Sequence, residues 1–288
     1  MKISLIISTY NRPDALKLCV KSAISQSTAP DEIIIGDDGS TLETKDMIDS
    51  LRLLTQIPII HVWQEDKGFR LAMMRNKSVA ISSGDYIIEI DGDIILHRDF
   101  IKDHIALCRP NHYISGGRTY LNRSFSEYLC SEDKLDYPNF MSSKIEYKRE
   151  YCIRIPLFSK IFASRYRKNR TGLGCNLSFF KKDFAAINGY DERFEGYGYE
   201  DSDLESRLKN HGIKKLFAKF SAIAFHLWHN EASMTNLDNN RSMYEQSTQQ
   251  QKVRCVDGYD KYLKGKIEVA EKDIVVVTAD YEGVSDNG

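Results

Sequence analysis

The sequence predicts an α/β fold with a mostly parallel central sheet flanked by helices, and three observations carry that prediction. Over the first hundred residues, short apolar runs alternate with segments of helical period. Single helices separate the runs, and a crossover of that size joins parallel strands. The runs show little polar alternation, as expected of strands covered on both faces.

Each element follows in order. "ISLIIS" (3–8) is the first strand, and "YNRPD" is a turn that ends with Pro13 near a helix start. Ala15, Leu16, Cys19, Val20, Ala23 and Ile24 then fall on one helical face. "EIIIGDDGS" (32–40) is a second buried strand ending in acid and glycine. Met47, Ile48, Leu51 and Leu54 mark a second helix, and "PIIHVW" (58–63) a third strand. "LAMMRNKSVAIS" (71–82) is helical, and "YIIEID" (86–91) is the fourth strand. From about 120 to 170 the pattern loosens, and residues 148–170 hold eight Lys or Arg against the single acid Glu150. A helix is expected from about 200 to 211. "LFAKFSAIAFHLWHNE" reads as a strand running into a histidine-bearing loop. After roughly 240 the chain turns polar, and "VSDNG" is expected to fray.

Composition narrows the function. The 288 residues are enough for one large or two small domains, and the contents of 42% hydrophobic and 28% charged residues are those of a globular protein. A formal net charge of -1 gives no sign of nucleic-acid binding. The six cysteines are scattered without zinc-ligand spacing, which points to reduced thiols in a cytoplasmic protein. The N-terminus lacks the long apolar region of a signal peptide, and no run approaches the apolar length of a membrane span.

In parallel sheets ligands sit beyond the carboxyl ends of the strands. Three such ends carry unusual residues: "STYNRP", "GDDGS" and the "DGD" of "IIEIDGDII". One crevice is expected to collect them. The glycine fingerprint of a dinucleotide fold is missing after the first strand, which argues against a dehydrogenase. No Gly-rich phosphate loop stands there either, against a nucleotidyltransferase. Asp91 and Asp93, one residue apart at a strand end, suit a hard divalent cation and its diphosphate. The simpler reading of the pair alone is an acidic loop.

The ordered set "STYNRP", "DDGS", "GFRLAMMRNKSVAISSGDYI", "DGD", "GCNLSFFKKDFAAINGYDE" and "GYGYEDSDLESRL" resembles family 2 glycosyltransferases of the GT-A fold over roughly residues 1 to 235. The second half is similar to chondroitin-polymerase-type enzymes and β-1,4-galactosyltransferases. The resemblance implies inverting transfer of a hexose or N-acetylhexosamine from a UDP-sugar, with Mn²⁺ or Mg²⁺, to a glycan acceptor of bacterial surface polysaccharide (lipopolysaccharide or capsule).

By the same resemblance, Asp93 is the firmer metal ligand, and Asp91 with Gly92 addresses the diphosphate side. His226, with His229 in reserve, is the third metal ligand. Asp38 accepts from the uracil N3–H, while Thr9, Tyr10 and Arg12 lie beside the base and Arg75 meets the nucleotide side. Asp201 is the base that deprotonates the acceptor, and Glu200 binds sugar hydroxyls. Tyr197 stands where the galactosyltransferases carry Trp, which keeps an aromatic wall and leaves the sugar open. Each residue also has a plainer reading: a helix-dipole acid for Glu200 and Asp201, a structural histidine for one of the pair, a surface Arg for Arg75.

The expected division is a nucleotide-sugar half (1–110), a metal and acceptor half (111–235) and a C-terminal extension of unassigned role (236–288). Two rival functions remain, a glycoside hydrolase using paired carboxylates and a noncatalytic sugar-nucleotide or glycan-binding module. The basic stretch 148–170, interleaved with Ile155, Leu157, Phe158, Ile161 and Phe162, is expected either to form a solvated acceptor loop or to dock on an anionic membrane surface. Docking would place a peripheral protein at the inner face of the plasma membrane, near a lipid-linked acceptor.

Overall fold

The computed structural model describes residues 1–164, 174–230 and 234–263, together with the backbone of 267–270 and 274–277. The first half alternates as the sequence predicts: β1 (Ile3–Thr9), α1 (Pro13–Ile24), β2 (Glu32–Asp37), α2 (Leu42–Arg52), β3 (Ile59–Trp63), α3 (Leu71–Ile81) and β4 (Tyr86–Asp91). There follow β5 (Ile94–Leu96), α4 (Phe100–Leu107), β6 (His112–Gly116), β7 (Thr119–Leu121), α5 (Arg123–Ser131), β8 (Ile145–Tyr147) and α6 (Pro156–Phe162). The remainder is β9 (Asn176–Phe180), α7 (Lys181–Ala186), α8 (Glu200–Asn210), β10 (Lys214–Ala218), β11 (Ala224–His226), α9 (Leu237–Gln249), α10 (Asp260–Leu263), β12 (Ile267–Ala270) and β13 (Ile274–Val277).

Among the described residues these strands form a nine-stranded sheet, ordered β10-β6-β9-β4-β1-β2-β3-β13-β12, and a four-stranded sheet, ordered β5-β11-β7-β8. The centre, β4-β1-β2-β3, is parallel, and β9 is inserted antiparallel between β4 and β6. Leu5, Ile7, Ile33, Ile35, Ile88 and Ile90 bury one face with Leu16, Val20 and Ile48. Ile6, Ile34 and Ile87 bury the other with Met74, Val79 and Phe184. Successive strand residues feed opposite faces, which is why these strands read as unbroken apolar runs.

One expectation is corrected. The segment "LFAKFSAIAFHLWHNE" is two strands in different sheets, β10 and β11, so His226 ends a strand and only His229 lies in the loop. The described part of the region after 235, expected as an extension of unassigned role, packs on the rest of the chain: α9 packs on α8, and β13 pairs in parallel with β3. The terminal "VSDNG" and Arg165, Arg167, Lys168 and Arg170 of the basic stretch lie outside the described residues.

Candidate active site

Parallel register assembles the site. Thr9 pairs with Asp37 and Ser8 with Asp91, so the ends of β1, β2 and β4 reach one edge together. The turn after β4 is tight: the Gly92 N–H donates to the Ser8 carbonyl at 2.7 Å. A Cβ on Gly92 would lie 2.9 Å from that oxygen, so the residue between the two aspartates has to be glycine. Beyond this edge opens a cleft of about 850 Å³. Thr9, Tyr10, Arg12, Asp38, Arg75, Asp91, Gly92, Asp93, Tyr197, Glu200, Asp201, His226 and His229 all line it.

At one end Asp93 faces both histidines, with His229 Nε2 at 3.1 Å and His226 Nε2 at 3.5 Å from its Oδ2. One ligand atom from each of the three lies within 4.8 Å of the others. Burial pushes the His226 imidazole down to about 4, so its ring is neutral and keeps a lone pair for a metal. The hydrogen bond with Asp93 is the main cause that raises His229. Burial opposes ionisation of Asp93, yet the two imidazoles and Arg12 hold its carboxyl well below the usual carboxylate range. Asp93 Oδ1 and His226 Nδ1 are buried without hydrogen-bond partners among the described residues. A carboxylate and two imidazoles whose ligand atoms lie within 4.8 Å of one another fit a Mn²⁺-type cation.

The opposite wall is built by α8, whose first turn carries Glu200, Asp201 and Asp203 and whose last turn carries Arg207 and Lys209, matching the helix dipole. Asp201 Oδ1 accepts from Arg75 Nη1 at 2.6 Å, and Oδ2 accepts from the Gly174 N–H at 2.8 Å. Glu200 is buried beside it with Oε2 unpartnered among the described residues. Burial and then the Asp201 charge push the Glu200 carboxyl up to about 8.

Arg75, expected at the nucleotide side, lines the cleft as a buried side chain and spans two carboxylates. Its Nη2 donates to Asp91 at 3.0 Å while Nη1 serves Asp201. It therefore ties the D-G-D turn to the E-D helix. A Cβ on Gly174 would collide with both Arg75 and Asp201, so the pair also dictates that glycine.

At the third end Asp38 accepts from Gln64 Nε2 and, at 2.7 Å, from the Arg70 N–H, and burial raises it to about 6. Its neighbour Asp37 is structural: it accepts from the Ser40 N–H at 2.8 Å and pairs with His61 at 2.9 Å. Tyr10 is half exposed, and its hydroxyl donates to Asp66 at 3.0 Å.

Sequence reasoning missed the wall formed by the four-stranded sheet. Arg118 approaches Asp91 at 3.4 Å, and its Nε donates to the Tyr120 hydroxyl at 2.7 Å. Tyr120 stacks on Tyr147 at 4.1 Å and packs on His226 at 4.8 Å. The Arg123 guanidinium covers Trp228 at 4.5 Å. These residues come from the stretch where periodicity fades; the one available cue was "GGRTYL", a further strand end.

The sequence matches the family model described as "Glycosyl transferase family 2" over residues 4–184, and that of the "N-terminal domain of galactosyltransferase" over 156–230. Among curated proteins it is 27% identical over 228 residues to validoxylamine A glucosyltransferase of Streptomyces hygroscopicus subsp. limoneus, covering 73% of this chain and 48% of that protein. It is 27% identical over 224 residues to chondroitin synthase of Escherichia coli, covering 73% and 32%. The chain thus spans about half or less of the length of these relatives.

Among solved structures, the mannosyltransferase PcManGT from Pyrobaculum calidifontis in complex with GDP-Man and Mn²⁺ aligns with a TM-score of 0.57 at 15% identity, over 85% of this chain and 61% of that one. Staphylococcus aureus TarS 1–349 with UDP-GlcNAc aligns with a TM-score of 0.57 at 15% identity, over 82% and 61%. The fold is GT-A.

Proposed function

The chain belongs to glycosyl transferase family 2, and from that premise we propose that it moves a hexose or N-acetylhexosamine from a UDP-sugar to a hydroxyl of a glycan, inverting the anomeric carbon. The observation that carries this reading is the meeting, in one cleft, of the Asp93–His226–His229 cluster with the Glu200–Asp201 pair. Chondroitin synthase among the relatives supports a role in bacterial surface polysaccharide, lipopolysaccharide or capsule. The neighbours solved with Mn²⁺ and with nucleotide sugars support the metal and donor assignments.

Asp93, His226 and His229 would hold Mn²⁺ or Mg²⁺, which when bound neutralises charge developing on the leaving diphosphate. Asp38 accepts from the uracil N3–H, and Thr9, Tyr10 and Arg12 border the base and diphosphate. Arg75 fixes the orientation of Asp201 by a charge-assisted hydrogen bond, so that one carboxylate lone pair stays aimed at the cleft. Asp201 removes the proton as the acceptor oxygen attacks in line. Glu200, protonated near neutral pH, donates to a sugar hydroxyl. A purely binding module would not need the base, and a hydrolase would not need the uracil site. The test is UDP release from a panel of UDP-sugars with and without acceptor and Mn²⁺; a chain that releases no UDP under any of these conditions would refute the reading.

A second site-independent reading concerns location. On α6 Leu157 is 70% exposed, and Phe158 and Ile161 are exposed beside Lys160, a composition suited to peripheral docking on an anionic inner-leaflet surface near a lipid-linked acceptor. Arg154 is already committed to Asp103 and Asp99, and among the described residues no helix is long and apolar enough to cross a membrane. Cosedimentation with anionic and neutral liposomes, compared between wild type and Leu157→Ser/Phe158→Ser, decides it.

A further inference from the structure

The aromatic wall has a feature that the donor and metal chemistry leaves unused. Three rings run outward from the Asp93–His226–His229 cluster: His226, then Tyr120 at 4.8 Å and tilted by 45°, then Tyr147 stacked on Tyr120 at 4.1 Å with planes 15° apart. Tyr147 ends the stack. It is 49% exposed and lines the cleft, so its ring presents apolar surface to the space beside the reaction centre. Tyr197, 44% exposed, lines the same cleft as Arg118, Tyr120, Glu200 and Asp201, and the charges of all four reach it. It stands three residues before Glu200 in the chain. Glu146, next to Tyr147 on β8, lines the same cleft with no hydrogen bond or ion pair to a described residue.

Exposed aromatic surface concentrated in one polar-rimmed cleft marks a binding groove. The guanidinium groups nearby are committed, Arg118 to Asp91 and Tyr120 and Arg123 to Glu127 at 2.7 Å, while the Lys148 ammonium lies over the Tyr120 ring at 4.9 Å and the Tyr147 ring at 5.9 Å. A bare phosphate would find no released guanidinium there. A pyranose ring suits the surface better, since its C–H face covers the negative face of an aromatic ring while its rim of hydroxyls finds a free carboxylate.

We infer that Tyr147, with Tyr197 and Glu146, forms the acceptor subsite, and that it takes the terminal pyranose of a glycan in preference to a lipid phosphate or a polypeptide side chain. This deepens the glycosyl-transfer reading and rests on it. Tyr147 supplies the stacking face, Glu146 accepts from a ring hydroxyl, and Tyr197 closes the side toward Asp201.

The experiment is saturation-transfer NMR on the full chain with Mn²⁺ and UDP present. Methyl glycosides of glucose, galactose and their N-acetyl forms are compared with a short polyprenyl phosphate and a Ser-containing peptide. Glycosides should bind wild type and Tyr147→Phe alike, and Tyr147→Ala about tenfold more weakly, the worth of one aromatic face. Calorimetric UDP binding by Tyr147→Ala shows that the cleft is folded. Equal glycoside affinity in wild type and Tyr147→Ala overturns the subsite, as does binding confined to the polyprenyl phosphate or the peptide, or no glycoside binding at all. Glycosides bound through Tyr147 in a protein that does not bind UDP would support the subsite and refute the UDP-donor reading instead.

Discussion

Asp201 is engaged before any substrate arrives, with one oxygen on Arg75 and the other on the Gly174 N–H. Those contacts orient the carboxylate without exhausting its lone pairs, since each oxygen carries two. Asp201→Asn keeps an acceptor oxygen but no basic one, so the transfer rate should fall by about two to four orders of magnitude while donor binding survives. Steady-state kinetics with donor and acceptor varied separately check this, and near-normal turnover would exclude Asp201 as the base. At the other wall, Asp93 is the carboxylate of the proposed metal cluster and faces both imidazoles. Millimolar Mn²⁺ should raise the melting temperature of wild type and leave that of Asp93→Ala unmoved, because a ligand that binds only the folded state stabilises it. Differential scanning calorimetry with and without EDTA reads this independently of activity. Both aspartates were legible in the sequence, because each sits at a strand or helix end in a short motif. Arg118 and Tyr147 were not, since nothing local separates a cleft-facing Arg or Tyr from a surface one.

At the scale of elements, the loop before α8 explains what the chain after 235 does. Tyr199, immediately before the Glu200–Asp201 pair, holds φ at +73°, a conformation that L-residues adopt at a cost. It stacks on Tyr244 of α9 at 5.4 Å. Asn240 of α9 is fully buried and donates to the Glu195 carbonyl at 3.0 Å and the Tyr197 carbonyl at 3.4 Å, while Ser247 donates to Asp203 of α8 at 2.6 Å. Helix α9 thus holds the strained loop from outside. Asn240→Ala removes one of two donors from the Glu195 carbonyl and the amide donor from the Tyr197 carbonyl, and should cost about 1–3 kcal/mol of stability. Its activity should fall by more than its folded fraction, because the loop that places Tyr197 and Glu200 loosens. Urea unfolding alongside kcat measures both, and an unchanged midpoint would refute the clamp. The polarity of this helix, read as part of an extension of unassigned role, hid the contact: its binding groups are amides and hydroxyls, which carry no periodic apolar signal.

For the molecule as a whole, several buried carboxyls lie around the cleft, with Asp38 raised to about 6, Glu89 to about 7 and Glu200 to about 8, burial being the largest cause in each. A buried acid whose folded value is raised keeps a proton that the unfolded chain has released. For Glu200 the window runs from its ordinary value of 4.5 up to about 8, and across it this group makes stability fall as pH rises. Glu200→Gln removes the titration, so its melting temperature relative to wild type should climb steadily from pH 5.5 to 8. A difference independent of pH would show that Glu200 is not held protonated by the fold.

The sequence by itself determined the central sheet, the three strand-end motifs and the E-D helix. These rest on local rules: apolar runs bury on both faces, acids and glycines end strands, and acids open helices. Parallel pairing then obliges neighbouring strand ends to share an edge, so the crevice could be anticipated. Only the tertiary structure decided that Arg75 joins Asp91 to Asp201, that both histidines face Asp93, and that the stack ending in Tyr147 forms a wall of the same cleft. The contacts to Asp93 and Asp201 join residues well over 100 positions apart, and the second sheet, which carries His226, Tyr120 and Tyr147, is built from three-residue strands too short to leave a period in the sequence.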